Sequence, residues 1–327
     1  MNKIALIGAT GNVGRQFLEL LIQRQRIDVQ QISLFASAQS HGQTLTILGH
    51  SLTVYDVNQC RFSDNMLAIF TTESDVSTQY IPTALAAGAI VIDASSAYRL
   101  DPDVPLIVPP VNGHLIKPPH RLFAHANCLA SPISLVLAPL HQYAVITRVN
   151  VSTYQSTSGA GKAAMQALSQ ETQNYYQRKP VTATHFPRPI AFNVIPQVSE
   201  ILDNGFTYEE YKIIKEVQKI IGSNIDIVAT SVRVPVMIGH SMSLAIECKR
   251  PIDIDEVKAL LARSPGVKLS EYEYTTPLEV QGKNEVFVGR IRRDPTVASG
   301  ILLWLVSDNL RRGAALDAIE MAEIVLS

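Results

Sequence analysis

The chain has 327 residues, 46% of them hydrophobic and 17% charged, with a formal net charge of -1. That balance suits a globular protein of about two domains and offers no basic surface to nucleic acid or to an acidic membrane. No apolar run approaches the roughly 18 residues of a membrane span, the three cysteines (Cys60, Cys128, Cys248) lack metal-ligand spacing, and a strand starting near residue 3 leaves no room for a signal peptide, so a reduced, metal-free, cytoplasmic protein is expected.

The first run, Ile4-Ala5-Leu6-Ile7, reads as a buried parallel strand. It enters Gly8-Ala9-Thr10-Gly11-Asn12-Val13-Gly14 and then a helix with apolar residues at Val13, Phe17, Leu18, Leu20 and Leu21. Glycines at 8, 11 and 14 let the backbone turn tightly and approach a pyrophosphate on the helix N-terminus. Gly8, Thr10, Gly11, Asn12, Val13 and Gly14 are therefore the candidate dinucleotide loop; the competing reading is a tight turn that binds nothing. Residues 31–35 form the next strand. The acid that usually follows such a strand to hold a ribose 2′-OH is missing; Ala36-Ser37-Ala38-Gln39-Ser40 stands there instead. Ser37 and Ser40 offer hydroxyl donors to a 2′-phosphate and Gln39 an uncharged amide, so NADP is the expected cofactor, with NAD usable.

Residues 67–70 and 89–93 read as further buried strands, with a helical segment over 78–87 between them. The alternation predicts an α/β fold with a doubly wound, Rossmann-like sheet, whose ligand crevice lies beyond the strands' carboxyl ends. Loops 8–14, 71–75 and 93–99 fall there, and Arg99 closes the last. An arginine so placed suits a phosphate or carboxylate, although most arginines are simply solvated. Prolines 102, 105, 109, 110, 118 and 119 make the next connection irregular.

The apolar strand 122–124 ends at His125-Ala126-Asn127-Cys128-Leu129-Ala130-Ser131-Pro132, and residues 133–138 resume at helical spacing. Cys128 thus lies at the start of a helix, whose partial positive charge favours thiolate. The bland alternative is an inert core cysteine. Beyond it the pattern changes to alternating strands at 149–155, 225–234, 241–247, 286–293 and 301–306, which predict a largely antiparallel sheet in an α+β domain. A second small-residue loop, 156–162, opens a helix; residues 206–221 form another; residues 307–325 read as a terminal amphipathic helix. The expected division is 1–127 plus 307–327 for a dinucleotide-binding domain and 128–306 for a catalytic domain. His240, at a turn, suits general acid–base work, and Arg233, a lone charge on an apolar strand, needs a carboxylate partner from the protein or a ligand.

These blocks together resemble the aspartate-β-semialdehyde dehydrogenase family nearly end to end. The resemblance is carried by Gly8 to Gly14, Ser95-Ser96-Ala97-Tyr98-Arg99, Asn127-Cys128, Tyr154-Gln155-Ser156-Thr157-Ser158-Gly159-Ala160-Gly161-Lys162, Ala191-Phe192-Asn193-Val194-Ile195-Pro196, Arg233-Val234-Pro235-Val236, Gly239-His240-Ser241, Val288-Gly289-Arg290 and Asp308-Asn309-Leu310-Arg311-Arg312-Gly313. It implies reversible, NADPH-dependent reductive dephosphorylation of aspartyl phosphate to aspartate semialdehyde through a thioester on Cys128, within the biosynthesis of lysine, threonine, methionine and diaminopimelate. It further implies His240 as acid/base, Gln155 as orienting group, Arg233 for the substrate α-carboxylate, Glu209 for its ammonium, Arg99 and Lys212 for phosphate, and Ser158 and Gly159 beside the cofactor. The same resemblance implies a homodimer built through the second domain, and an arginine commonly occupies the place of Gln39. Departures are Leu129 and Ala130 where the family has hydroxyls, Ala94 for Asn, Pro110 for Glu and Met242 for Glu. They keep two alternatives open: a catalytically silent nucleotide-binding paralogue, and an N-acetyl-glutamyl-phosphate reductase, whose substrate has no free ammonium for Glu209.

Overall fold

The computed structural model describes residues 3–327, which divide into two compact units: 3–127 with 313–327, and 128–312. The first unit holds β1 (Lys3–Ile7), α1 (Asn12–Arg24), β2 (Ile32–Ala36), β3 (Thr44–Ile47), β4 (His50–Asp56), β5 (Met66–Phe70), α2 (Ser74–Ala86), β6 (Ile90–Asp93), β7 (Leu106–Ile107), α3 (Pro109–Asn112) and β8 (Leu122–His125). Its eight strands run in the order β3-β4-β2-β1-β5-β6-β8-β7, all pairs parallel except β3 with β4. Side chains alternate across a strand, so β1 feeds both faces. Ile4 and Leu6 pack with Phe17, Leu18 and Leu21 of α1 and with Ile319 and Met321 of the C-terminal helix. Ala5 and Ile7 pack with Ile81 and Ala84 of α2. Strands covered on both faces are uniformly apolar, as parallel strands of this kind must be.

Sequence reading overlooked the β3–β4 hairpin. Its strands alternate weakly and are largely exposed, and its turn is Leu48-Gly49, both at positive φ. Without an Asn-Gly or Asp-Gly signal, such a turn is hard to see. Two glycines of the first loop are fixed by space. Gly8 has φ +90°, and a Cβ there would sit 2.6 Å from the Thr71 carbonyl oxygen; one on Gly14 would sit 2.4 Å from that of Gly8. Gly8→Ala is expected to lower stability by about 1–3 kcal/mol, read as a fall in Tm, since it combines backbone strain with a clash.

The second unit holds α4 (Ala130–Ala144), β9 (Ile146–Gln155), α5 (Lys162–Tyr176), α6 (Tyr208–Ile221), β10 (Asp226–Arg233), β11 (His240–Cys248), α7 (Ile254–Ala262), β12 (Val267–Leu269), α8 (Pro277–Val280), β13 (Val286–Asp294) and β14 (Gly300–Ser307). The sheet order is β10-β9-β11-β14-β13-β12, with the three central pairs antiparallel and the two outer pairs parallel. The expected largely antiparallel sheet is present. The expected helix over 307–325 is not. Ser307 still belongs to β14, paired with His240, and the helix, α9, spans only Leu316–Leu326. Asp308 is the physical reason. Its carboxylate accepts hydrogen bonds from the N–H groups of Leu310 (2.9 Å) and Gly282 (2.8 Å), which bends the chain before a π-turn at Arg311–Ala315. Residues 307–312 consequently lie with the second unit.

Candidate active site

In the second unit, strand register gathers the site. Arg233 ends β10 directly opposite Gln155, which ends β9, and His240 opens β11 one step beyond the Ser241–Tyr154 pair. Residues opposite one another share a face, so three predicted groups meet at one end of the sheet. A capping box at Thr207 and Glu210 starts α6, and the Glu210 carboxylate also accepts from the Ser231 N–H at 2.7 Å, fixing α6 to β10. This sets Glu209, buried, where its carboxylate accepts from Gln155 Nε2 at 3.2 Å and pairs with Lys212 at 2.6 Å. The Glu209–Lys212 pair is thus largely enclosed, not a solvated helix pair. Thr153 Oγ1 donates to Gln155 Oε1 at 3.1 Å, which orients that amide.

Arg233 is 5% exposed. Its Nη1 donates to the Ser156 carbonyl at 2.7 Å, and the Phe186 ring lies 5.7 Å from its carbon centre. Burial lowers its pKa; the Glu209 carboxylate and then Cys128 oppose this. Among the described residues no carboxylate oxygen is hydrogen-bonded to this guanidinium. A buried guanidinium in that state can take a carboxylate in a two-pronged hydrogen-bonded pair. Cys128 is half-buried, in the turn between β8 and the start of α4, whose N-cap, Leu129, contributes no side-chain hydrogen bond. A cysteine at a helix start lies where the partial positive charge of that helix end favours thiolate.

His240 is fully buried and its pKa is pushed down to about 3, by burial first and by Arg233 second, with Glu209 and the Gly239 backbone opposing. Its Nδ1 accepts from the Ser156 N–H at 3.0 Å, and the Ser156 hydroxyl lies 3.0 Å from the same nitrogen. Asn309 stands behind. Its Oδ1 accepts from the hydroxyls of Ser156 and Ser158 at 3.0 Å and from the Gly239 N–H at 2.9 Å. Ser158 and Gly159 pack here, against Asn309 and His240. Sequence reasoning missed Ser156, Asn309, Thr153 and Phe186. Placing 307–325 in a helix concealed Asn309; Ser156 opens the small-residue loop 156–162 but was given no role, and nothing local marks Thr153 or Phe186.

In the first unit, Gly8, Thr10, Gly11 and Ser37 line a cleft of about 460 Å³ with Asp56, Thr71, Glu73 and Tyr80. Gly11 is the N-cap of α1, with no side-chain cap and no acid in the first turn, which leaves N–H donors for a phosphate. These features fit a dinucleotide. Asn12, Val13 and Gly14 lie outside the lining: Asn12 is half-buried, Val13 packs against the core, and Gly14 brings helix and strand together. Gln39 and Ser40 belong to a short 3-10 turn outside the lining too, with Gln39 exposed. Asp56, paired with Ala36 across β4 and β2, brings into the cleft the carboxylate that residues 36–40 lack. Arg99 is buried, not solvated. Its Nη2 donates to the Ala94 carbonyl at 2.9 Å, in a turn held by Asp93, which accepts from Ser77 and Ser95. Burial raises the Asp93 pKa, against the pull of those hydrogen bonds and of Arg99. Among the described residues, no helix is long and apolar enough to cross a membrane.

Two family models match: the semialdehyde dehydrogenase NAD binding domain over residues 3–118 and the semialdehyde dehydrogenase dimerisation domain over residues 137–312. Aspartate-semialdehyde dehydrogenases of Rickettsia bellii and Aquifex aeolicus are 40% and 39% identical to the chain; the matches cover 98% and 99% of it and 96% and 98% of those proteins. The crystal structure of aspartate semialdehyde dehydrogenase II from Vibrio cholerae superposes with a TM-score of 0.95 at 38% identity, covering 99% of this chain and 98% of that one; a second structure of the Vibrio protein is complexed with ASA. With both halves matched in order and the relatives aligned almost from end to end, the chain belongs to the aspartate-semialdehyde dehydrogenase family of oxidoreductases.

Proposed function

We propose that the chain interconverts aspartyl phosphate and aspartate semialdehyde, with Cys128 as nucleophile. The observation that carries this reading is the buried Arg233 guanidinium, hydrogen-bonded to no carboxylate among the described residues, yet within electrostatic reach of Glu209 and Cys128. Those groups suit an amino acid's α-carboxylate and α-ammonium next to an acyl carbon. The Cys128 thiolate attacks the acyl carbon and phosphate leaves, giving a thioester. When bound, a nicotinamide cofactor supplies the hydride for its reduction. Collapse of the hemithioacetal then expels the thiolate and releases the aldehyde. Gln155 orients the reacting group, His240 is the acid/base that manages the proton on the hemithioacetal oxygen, and Arg99 and Lys212 receive the phosphate.

The test is steady-state oxidation of aspartate semialdehyde with phosphate and NADP. Turnover is expected, and it must depend on phosphate. Activity only with N-acetyl-glutamate semialdehyde would move the chain to the sister reductase, and activity with neither would leave a silent paralogue. The match to a dimerisation domain supports a homodimer, which light scattering in solution checks.

The cofactor is proposed to be NADP(H) by a narrow margin, with NAD(H) usable. Ser37 lines the cleft, while Gln39 provides no charge and the Asp56 carboxylate opposes a 2′-phosphate. Charge-assisted hydrogen bonds are about twice as strong as neutral ones, so Gln39→Arg is expected to raise the NADP/NAD ratio of kcat/KM by about fivefold. A strong NAD preference in the parent, or no change in the variant, refutes this placement of the 2′ site.

A further inference from the structure

Glu171, in the second half of α5, is a buried carboxylate with no part in the site described above. Its Oε2 accepts from the backbone N–H groups of Ile190 at 2.6 Å and Ala191 at 3.0 Å. Its Oε1 is buried without a hydrogen-bond partner among the described residues. Burying a carboxylate is costly, and the two N–H groups it satisfies would otherwise be orphaned donors. They belong to an irregular segment, residues 186–195, which packs on α5 through a small apolar cluster: Leu168, Ile190 and Ile195, flanked by Phe186 and Ala191. Leu168 and Glu171 are three residues apart on α5 and share the face that meets this segment. With so little apolar area beneath it, the segment depends on the carboxylate for its position.

Both ends of the segment reach Arg233. The Phe186 ring lies 5.7 Å from the guanidinium carbon. Ile195 forms an antiparallel bridge with Arg233: its N–H donates to the Arg233 carbonyl at 2.9 Å, and its carbonyl accepts from the Arg233 N–H at 2.8 Å. The Glu171 anchor falls between these two contacts. The chain leading into α5 touches the same side chain, since the Ser156 carbonyl accepts from Arg233 Nη1 at 2.7 Å. We propose that Glu171 is a positioning residue for Arg233: by holding the N–H groups of Ile190 and Ala191 it fixes the segment that lays Phe186 on the guanidinium and pairs Ile195 with the Arg233 backbone. This inference rests on the carboxylate-binding role of Arg233 proposed above.

The physical effect is preorganisation. An arginine side chain has many rotamers, and ordering it at the moment of binding costs affinity; a guanidinium already held flat has little left to lose. Glu171 therefore acts on the binding of the amino-acid substrate and leaves the bond-making steps at Cys128 alone. An apolar residue in its place leaves two N–H groups without an acceptor, and the segment must open to water to satisfy them. Phe186 then leaves the guanidinium face, and the ordering cost falls on substrate binding.

The test compares Glu171→Met, which keeps the length and removes the acceptor, with Glu171→Gln, which keeps a carbonyl oxygen for the two N–H groups. In steady-state oxidation of aspartate semialdehyde, Glu171→Met is expected to raise KM for the aldehyde about two- to tenfold, the cost of ordering one side chain. Its kcat should stay within about twofold and its KM for NADP should not move. Glu171→Gln should restore KM to near the parent value. A purely structural role would instead lower Tm and the fraction of active enzyme, leaving KM alone. Combined with Arg233→Lys, Glu171→Met should add no further rise, because the guanidinium it positions is gone. Equal KM in Glu171→Met and the parent, a Gln variant no better than the Met variant, or a full further rise in the double variant overturns the proposal. If Glu171→Met does not fold, Glu171→Asp, one methylene too short to reach, takes its place with the same outcomes. Hydrogen exchange read by mass spectrometry gives an arm independent of the substrate: exchange should quicken at residues 190–195 and at the Arg233 amide in Glu171→Met and stay unchanged in α4. Should Arg233→Lys leave KM unaltered, the substrate assignment is wrong, and the exchange at Arg233 still decides whether Glu171 positions that residue; unchanged exchange there overturns the proposal.

Discussion

Cys128→Ser is expected to lose turnover by about a thousandfold or more, with cofactor binding unchanged. A hydroxyl needs a base to become a nucleophile at neutral pH, whereas thiolate forms readily beside a helix start. His240 is buried with its pKa pushed down to about 3, and its Nδ1 already accepts from the Ser156 N–H, so it is poorly placed to activate a serine hydroxyl. The turn before α4 supplies only a partial positive charge, too little to ionise a hydroxyl. Cofactor fluorescence titration and single-turnover kinetics separate binding from chemistry. Wild-type-like turnover in Cys128→Ala would sink the covalent mechanism. The other two cysteines make the comparison sharp. Cys60 and Cys248 are buried and their thiols are pushed up to about 11, mainly by desolvation. They are thiols at neutral pH, and alanine at either position should affect stability alone.

Arg233→Lys is expected to raise KM for the amino-acid substrate by about tenfold to a hundredfold, with a smaller effect on kcat. A planar guanidinium can keep one N–H on the Ser156 carbonyl and still present a fork to a carboxylate. A lysine ammonium is a point charge on a flexible stem and cannot do both in that geometry. Hydrogen bonds to charged groups contribute about 1.5–3 kcal/mol, which corresponds to the stated range in affinity. Phe186 against the guanidinium should help hold its plane, so Phe186→Leu is expected to give a weaker change of the same kind. If Arg233→Lys changed kcat and left KM alone, the residue would serve the transition state and the carboxylate would bind elsewhere.

The sequence by itself determined a good deal. Uniformly apolar β1, β5 and β6, each leading into a loop and helix, specify a parallel sheet covered on both faces, because no other packing hides such strands. The alternation of β9 and β10 specifies a half-covered sheet. The glycine loop was legible because Gly8 and Gly14 answer to local sterics: a positive φ and a close backbone approach. Cys128 stood out through its position between a strand and a helix. What the residues could not settle locally was which polar groups meet. Asp308 bends the chain through a hydrogen bond to Gly282, 26 residues away, and against that tertiary contact helical spacing over 307–325 carried no weight. The meeting of Gln155, Arg233 and His240 depends on the register of three strands, which is set by whole-sheet packing. The state of His240 depends still more on tertiary structure. A histidine in a sequence titrates near neutrality; burial beside Arg233, with the Ser156 N–H on Nδ1 and Asn309 behind Ser156, holds the pKa of this one far down, because desolvation penalises the charged ring.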